Sequence, residues 1–566
     1  MLETEQKMIE ILRILSENEK PMGSKFLAEK LQTKGYELGE RAVRYHLKIL
    51  DEKGFTKRIG YSGRQITDLG LKELNKGLVY DQVNFIFSKF EEMIYKTNFD
   101  FKTGLGDVVL NSSQLILEKD SCNIVKEVFD AGICVSKHGS INKFIKDGKE
   151  YIKAKTVCGT TIDGVLLKNG VPTVPIYGGL IKVEDYAPVK FSHLISLKET
   201  SISPIEAFLA KGMTSVLDVA RDGEGLIPAN FRIIPSSAKE KAKKIVKELS
   251  KVGINGVIDI GESGEDVLGV SVKEGMSGIP IVGGISPFCA ALENDKDVLI
   301  NLSGEINSYS NLKPLTKSKK AILEKSKNKK IKPLETILYK SMNLMQKINF
   351  DVEDFSGNLL TNISFIKESD LNESIEIMSD LYKKNPGKIS KFYNIVDNQD
   401  TTSEFNKGIS TICSLSIDGI LNKNGVMCTP KYGGLLEARE NPVFIELISY
   451  FGSSLDPHEI YIFKNMTSLT AKDGYQKLLA SVKEVPYIAR EETLKILDKI
   501  SDLGIQIIKV GKPQEVMFNS ILDKYSFGIV TGSGLNQIAA INENKIEVKA
   551  KSQEGFTSLN EMEELA

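Results

Sequence analysis

Two arginines and two glycine-rich turns carry the most chemical information in this chain. Arg221 stands just before Asp222-Gly223, and Arg232 lies three residues before Pro235. A guanidinium offers paired N–H donors that grip a carboxylate at two points. Tyr177-Gly178-Gly179 and Val282-Gly283-Gly284-Ile285-Ser286 add glycines that let backbone N–H groups approach an anion. The second run precedes a small-residue helix, whose free N–H groups and dipole favour negative charge. Tyr177, Gly178, Gly179, Arg221, Arg232, Gly283 and Gly284 are therefore the expected contacts for a small dicarboxylate. The plainer reading makes the arginines surface ion-pair residues and the glycines tight turns. Neither glycine run has the Gly-x-Gly-x-x-Gly spacing, and no Walker lysine follows, which argues against a dinucleotide or nucleoside triphosphate.

Little points to catalysis. Asp163 and Asp418 are candidate general bases, although Ile-Asp-Gly more often marks a turn or an edge. No Ser/His/Asp set is legible. The six cysteines (Cys122, Cys134, Cys158, Cys289, Cys413, Cys428) form no Cys-x-x-Cys pair, and only four histidines accompany them. That leaves little for a metal site and fits buried thiols in a reducing cytosol. No metal or bound cofactor is expected.

The chemistry-bearing residues sit inside a duplication. Thr161-Ile162-Asp163-Gly164-Val165 recurs as Ser416-Ile417-Asp418-Gly419-Ile420, Lys168-Asn169-Gly170 as Lys423-Asn424-Gly425, and Tyr177-Gly178-Gly179-Leu180 as Tyr432-Gly433-Gly434-Leu435. All three recur 255 positions later, a period that copies a whole domain rather than a short solenoid repeat. Asn169-Gly170 between apolar runs predicts a β-hairpin. Amphipathic helices are predicted over 239–249 and 491–500, and strands and helices alternate, so each copy reads as an α/β (α+β) domain. By sequence alignment the second copy replaces Arg221 with Lys472, Arg232 with Lys483 and Gly284 with Ser533. The first copy is therefore the better candidate sensor.

Ahead of the duplication, helices are predicted near 9–15, over 25–32 and over 40–53, followed by a hairpin through Gly63 and a helix over 68–76. That order is a winged helix-turn-helix. The third helix presents Arg41, Arg44, Tyr45, His46 and Lys48, and the wing presents Arg58, Tyr61 and Arg64. Donors on a helix that fits the major groove, backed by a basic wing, point to double-stranded DNA. Net charge is −1 over 566 residues, so any nucleic-acid binding must come from such a local patch. With no signal-like N-terminus and no apolar run of roughly 18 residues, a cytoplasmic protein without membrane contact is expected. The expected domains are a winged helix at 1–77, copy one at 78–312, a Lys-rich linker at 313–333, copy two at 334–545 and a frayed acidic tail at 546–566.

One winged helix followed by two such domains, with Thr-Ile-Asp-Gly-Val, Lys-Asn-Gly-Val and Tyr-Gly-Gly-Leu in order, resembles the NrpR family of archaeal repressors of nitrogen assimilation. The resemblance implies a multidomain cytoplasmic homodimer that binds palindromic operators of nitrogen-fixation and ammonia-assimilation genes. It implies 2-oxoglutarate as the effector that weakens DNA binding, with a PII-type signalling protein as a further candidate partner. Two other readings stay open at this point. One is an enzyme with an accessory winged helix, its active site around Asp163, Arg221 and the Tyr-Gly-Gly turns. The other is a regulator gated by a protein partner.

Overall fold

The computed structural model describes residues 3–565 apart from 17, 19, 34–35, 37, 78–85, 117–118, 147, 295–297, 319–321, 324–332, 386–388, 401, 471–473, 502–503, 506, 514 and 524. The chain divides into two compact units, Met1–Asn84 with Val516–Ile521, and Phe85–Glu515 with Leu522–Ala566.

The first unit is the winged helix. Helices Glu3–Ser16, Ser24–Thr33 and Glu40–Glu52 are followed by the hairpin Thr56–Ile59/Gly63–Ile66 and the helix Asp68–Gly77. Apolar residues at helical spacing face one core: Leu12 and Leu15, Leu27 and Leu31, then Val43, Leu47 and Leu50. Gly63 has φ of 120°, and a Cβ there would come within 2.1 Å of the Met22 carbonyl oxygen. Only glycine lets the wing lie this close to the turn before the second helix, where Met22 and Arg64 exchange two backbone hydrogen bonds of 2.9 Å.

The second unit holds both copies of the duplication. Each copy has two antiparallel sheets with helices packed on them. In copy one the order is Val298–Ser308, Asp107–Ile116, Lys149–Val157, His138–Lys146 and Lys313–Pro314 in one sheet. The other runs Ala187–Ser196, Val174–Glu184, Gly225–Pro235 and Met276–Val282. Copy two repeats this plan with Gly555–Ser558, Asn358–Ile366, Lys407–Ile412, Phe392–Asp397 and Glu563–Glu564. Its second sheet runs Val443–Ser449, Thr429–Glu437, Lys477–Pro486, Ser526–Gly532 and Ile507–Val510.

Several expectations change. Asn169-Gly170 is no hairpin turn. Thr160–Lys168 is a helix, and Gly170, at φ 72°, closes it with Gly170 N–H to Leu167 and Val171 N–H to Leu166 hydrogen bonds. This is a helix C-terminus with a left-handed glycine, whose sequence signal overlaps that of a hairpin. Asn424-Gly425 ends the helix Leu415–Lys423 in the same way. The supposed tail supplies two strands of the copy-two sheet, with Gly555–Ser558 on Asn358–Thr361 and Glu563–Glu564 on Phe392–Tyr393. The supposed linker begins as the strand Lys313–Pro314 on His138–Gly139 of copy one. Most of its remainder, like Lys472, lies outside the described residues.

The copies meet through reciprocal contacts, each made twice. Ser196 N–H bonds the Gly452 carbonyl and Ser449 N–H bonds that of Glu199. Ser454 N–H bonds Leu194, and Ser201 N–H bonds Leu447. Lys464 pairs with Glu206 at 3.0 Å, and Lys211 pairs with Glu459. Tyr177 opposes Ser196 as Tyr432 opposes Ser449, which makes these contacts two-fold images of one another. The chain thus contains an isologous dimer of its own domains.

Because the last residues are sheet strands, deleting 553–566 should lower the melting temperature by more than ~5 °C. An unchanged melting curve would restore the frayed tail.

Candidate effector site

On the winged helix, Arg41, Arg44, Tyr45 and Lys48 are exposed on the outer face of Glu40–Glu52. Arg44 pairs with Glu40 at 2.5 Å and Lys48 with Glu52 at 3.8 Å, while Arg41 has no ion-pair partner among the described residues. On the wing Tyr61 is fully exposed, and Arg58 Nε donates to the Gly60 carbonyl. Two expected contacts are corrected. His46 is buried with Val43, Leu47 and Leu50, and burial lowers its pKa. Arg64 is largely covered and donates to Asp51 at 2.7 Å, tying wing to helix. Both lie behind the exposed outer face rather than on it.

In copy one, Asp163 and Arg232 form a buried pair, 0% and 2% exposed. Nη2 donates to Oδ2 at 2.9 Å, Nε makes a close ion contact with Oδ1 at 2.6 Å, and Thr173 donates to Oδ1 at 3.0 Å. Burial pushes the Asp163 carboxyl up, and the guanidinium draws it back toward ionisation. Copy two places Lys483 on Asp418 at the same point, again fully buried. Asp163 is neither a solvent-accessible base nor a turn residue, and Arg232 is committed to it. The neighbouring Gly164 is required by packing, since a Cβ there would lie 2.4 Å from Thr97; Gly419 stands likewise against Ile348 at 2.3 Å. The Ile-Asp-Gly signature thus encodes a buried ion pair beside a tight helix contact.

Tyr-Gly-Gly has a similar origin. A Cβ on Gly178 would meet Pro204 at 2.6 Å, and one on Gly179 would meet the His193 carbonyl at 2.5 Å. Gly433 faces Pro457 at 2.6 Å and Gly434 faces Phe444 at 2.5 Å. Tyr177 packs against the core and burial raises its pKa. Arg221 sits at the surface, its Nε and Nη2 each 2.9 Å from Glu127. Arg221 and Arg232 therefore do not converge on one ligand.

A cavity of about 230 Å³ lies beside these residues in copy one. Ile86, Phe90 and Met93 give it an apolar wall, and exposed Lys89 stands at its edge. Cys158 and Thr160 bring the start of the helix Thr160–Lys168, while Gly284 and Ile285 bring the start of Ser286–Glu293. Asn111, Asn230, Ser201 and Ser203 add polar side chains. Asn111 is 4% exposed and lines the cavity, and no hydrogen bond engages its side-chain amide among the described residues. The Ile285 N–H is likewise unpartnered among them. Buried polar groups are rarely left so. Two helix starts, a lysine and free amide donors make the cavity suited to a small anion. Of the seven expected contacts, Gly284 lines it, and Gly178 backs onto its Pro204 wall.

The structure also corrects the alignment of the glycine turns. Gly284 and Gly534 each abut an equivalent carbonyl, Val157 at 2.1 Å and Ile412 at 2.0 Å from an added Cβ. Gly284 is therefore matched by Gly534, and it is Gly283 that becomes Ser533. Sequence reasoning missed Asn111 and Asn230; the match of Asn111 to Asn362 was the available signal for the former.

Removing one partner of a buried ion pair leaves a charge without compensation. Arg232→Ala should therefore cost about 3–5 kcal/mol in denaturant unfolding. Arg232→Lys should cost much less, because copy two folds around lysine there. Equal and small losses for both would show that the pair is unimportant.

Comparison with known proteins agrees with the fold and its duplication. Residues 83–314 and 334–564 match the model of NrpR regulatory domains NRD1 and 2, and residues 9–74 match a Ribonuclease R winged-helix domain. The chain is 36% identical to the global nitrogen regulator NrpR of Methanococcus maripaludis, covering 96% of both chains. It is 35% identical to that of Methanocaldococcus jannaschii, covering 98% of this chain and 96% of the relative. The NrpRI regulator of Methanosarcina mazei is 42% identical over 321 residues, 98% of its length and 55% of this chain. A winged helix, two copies of this regulatory domain and full-length identity to nitrogen regulators place the chain in the NrpR family of transcriptional regulators, which are not enzymes.

Proposed function

We propose that this regulator is a homodimeric, cytoplasmic repressor that holds palindromic operator DNA with Arg41, Arg44, Tyr45, Lys48, Arg58 and Tyr61. It releases the DNA when 2-oxoglutarate enters the cavity of copy one. The observation that carries the reading is the pair of unpartnered donors in that cavity, the Asn111 amide and the Ile285 N–H, next to two helix starts. A dicarboxylate accepts from both. Lys89 at the edge is placed to meet a second carboxylate, and the apolar wall of Ile86, Phe90 and Met93 accommodates the methylenes between them.

The cavity is bounded by Ser201, Ser203 and Glu206, which belong to the seam between the copies. Ser201 Oγ donates to the Leu447 carbonyl and accepts from the Leu447 N–H, and Glu206 pairs with Lys464. A ligand that pulls on this segment changes how the copies sit on one another. By linkage, the release of DNA equals its differential affinity for the two arrangements. The seam already uses one face of each copy, so the dimer of chains forms through another. Two-fold symmetry then predicts a two-fold operator.

Asn230 lines the cavity and takes no part in the Asp163–Arg232 pair, so Asn230→Leu should fold normally and bind operator. The 2-oxoglutarate concentration that halves operator binding should rise at least about tenfold, roughly the worth of one hydrogen bond to a charged group. An unchanged induction curve would move the effector elsewhere. Arg41→Ala should weaken operator binding and flatten its salt dependence by about one counterion. Salt dependence like that of wild type would remove this helix face from the DNA interface.

A further inference from the structure

We propose that copy two carries the remnant of the same site, closed by the chain's own side chains, so that each chain takes one effector and not two. The inference rests on the effector reading of the copy-one cavity. The internal two-fold makes copy one a positional control for copy two. Ser203, half-exposed at the cavity, corresponds to Asp456, which is 5% exposed. Both residues precede the proline of equivalent helices, Pro204–Ala210 and Pro457–Phe463.

The Asp456 carboxylate is held from both sides. Its Oδ1 accepts from the His458 N–H at 2.9 Å, and its Oδ2 accepts from Gln553 Nε2 at 3.1 Å. The Gln553 carbonyl oxygen accepts from Ser341 at 2.8 Å, where copy one has the cavity residue Phe90. The donors left over in copy one are consumed here. Asn362, matching Asn111, donates its Nδ2 to the Thr411 hydroxyl at 3.4 Å and accepts the Gln553 backbone N–H on its Oδ1 at 3.2 Å. Leu535 N–H, matching Ile285, bonds the Ser533 hydroxyl at 3.2 Å, a group that Gly283 cannot offer. Tyr450, matching Leu197, places its hydroxyl 3.4 Å from Ser481, which stands where Asn230 lines the cavity. Asp456, Gln553, Ser533 and Tyr450 thus fill the pocket or satisfy a polar group at the positions named. A tethered carboxylate occupies the region in which copy one receives a free one, and its charge repels any further anion.

Calorimetric titration of the full chain with 2-oxoglutarate tests this. Wild type should bind one equivalent per chain. Ser203→Asp installs the copy-two residue at a helix start that favours aspartate. It should weaken binding at least thirtyfold while the melting temperature holds. The Asp456→Ser/Gln553→Ser variant should gain a second, weaker equivalent. Two equivalents in wild type, or one equivalent undiminished in Ser203→Asp, would overturn the assignment of the single site to copy one. So would a double variant that folds yet gains no second equivalent. No binding to wild type would remove the effector reading itself, and this inference with it.

Discussion

The structure of the regulatory unit depends on the pairing of its two copies along one two-fold seam. Backbone groups at Leu194, Ser196 and Ser201 of one copy bond those of the other at Ser454, Gly452 and Leu447, and the reciprocal set closes the pattern. Backbone pairing of this kind is directional, and its groups are costly to bury unpaired. Two cross-copy ion pairs, Lys211–Glu459 and Lys464–Glu206, flank it. On the proposed reading, a ligand bound beside this seam would act on the pairing of the whole unit rather than on a loop.

The residues that make the family recognisable serve this architecture. Asp163 neutralises Arg232 in the core, Gly164 lets the Thr160–Lys168 helix approach Thr97, and Gly178 makes room for Pro204. The second copy keeps the same constraints with Asp418–Lys483, Gly419 and Gly433. Close approach and charge balance in a dry interior leave few alternatives, so both copies carry these motifs while the cavity residues around them differ.

This explains what was legible in the sequence. Helical spacing of Val43, Leu47 and Leu50 and the glycine-centred wing gave the winged helix, because there one amphipathic face meets one core. The duplication was plain from its constant spacing. Asn169-Gly170 misled, because left-handed residues end helices as readily as they turn hairpins. The C-terminal strands were obscured by acidic residues, which edge strands tolerate on their exposed side. The site was read only in part. Arg232 and Arg221 are cations with partners, Asp163 and Glu127, that lie far away in sequence. Asn111 and Ser203 have types too common to stand out, and only the fold brings them to one cavity.

On the proposed reading copy one holds an open site and copy two a closed one, at equivalent places in a symmetric unit. Amide hydrogen exchange of the full chain, with and without 2-oxoglutarate, tests that most directly. Ligand should slow exchange at Ile285 and through Cys158–Thr161 of copy one. Leu535 and Cys413–Ser416 of copy two should exchange at unchanged rates, and the seam amides Ser196, Ser201, Ser449 and Ser454 should shift together. Equal protection of both copies, or protection confined to residues away from the copy-one cavity, would contradict it.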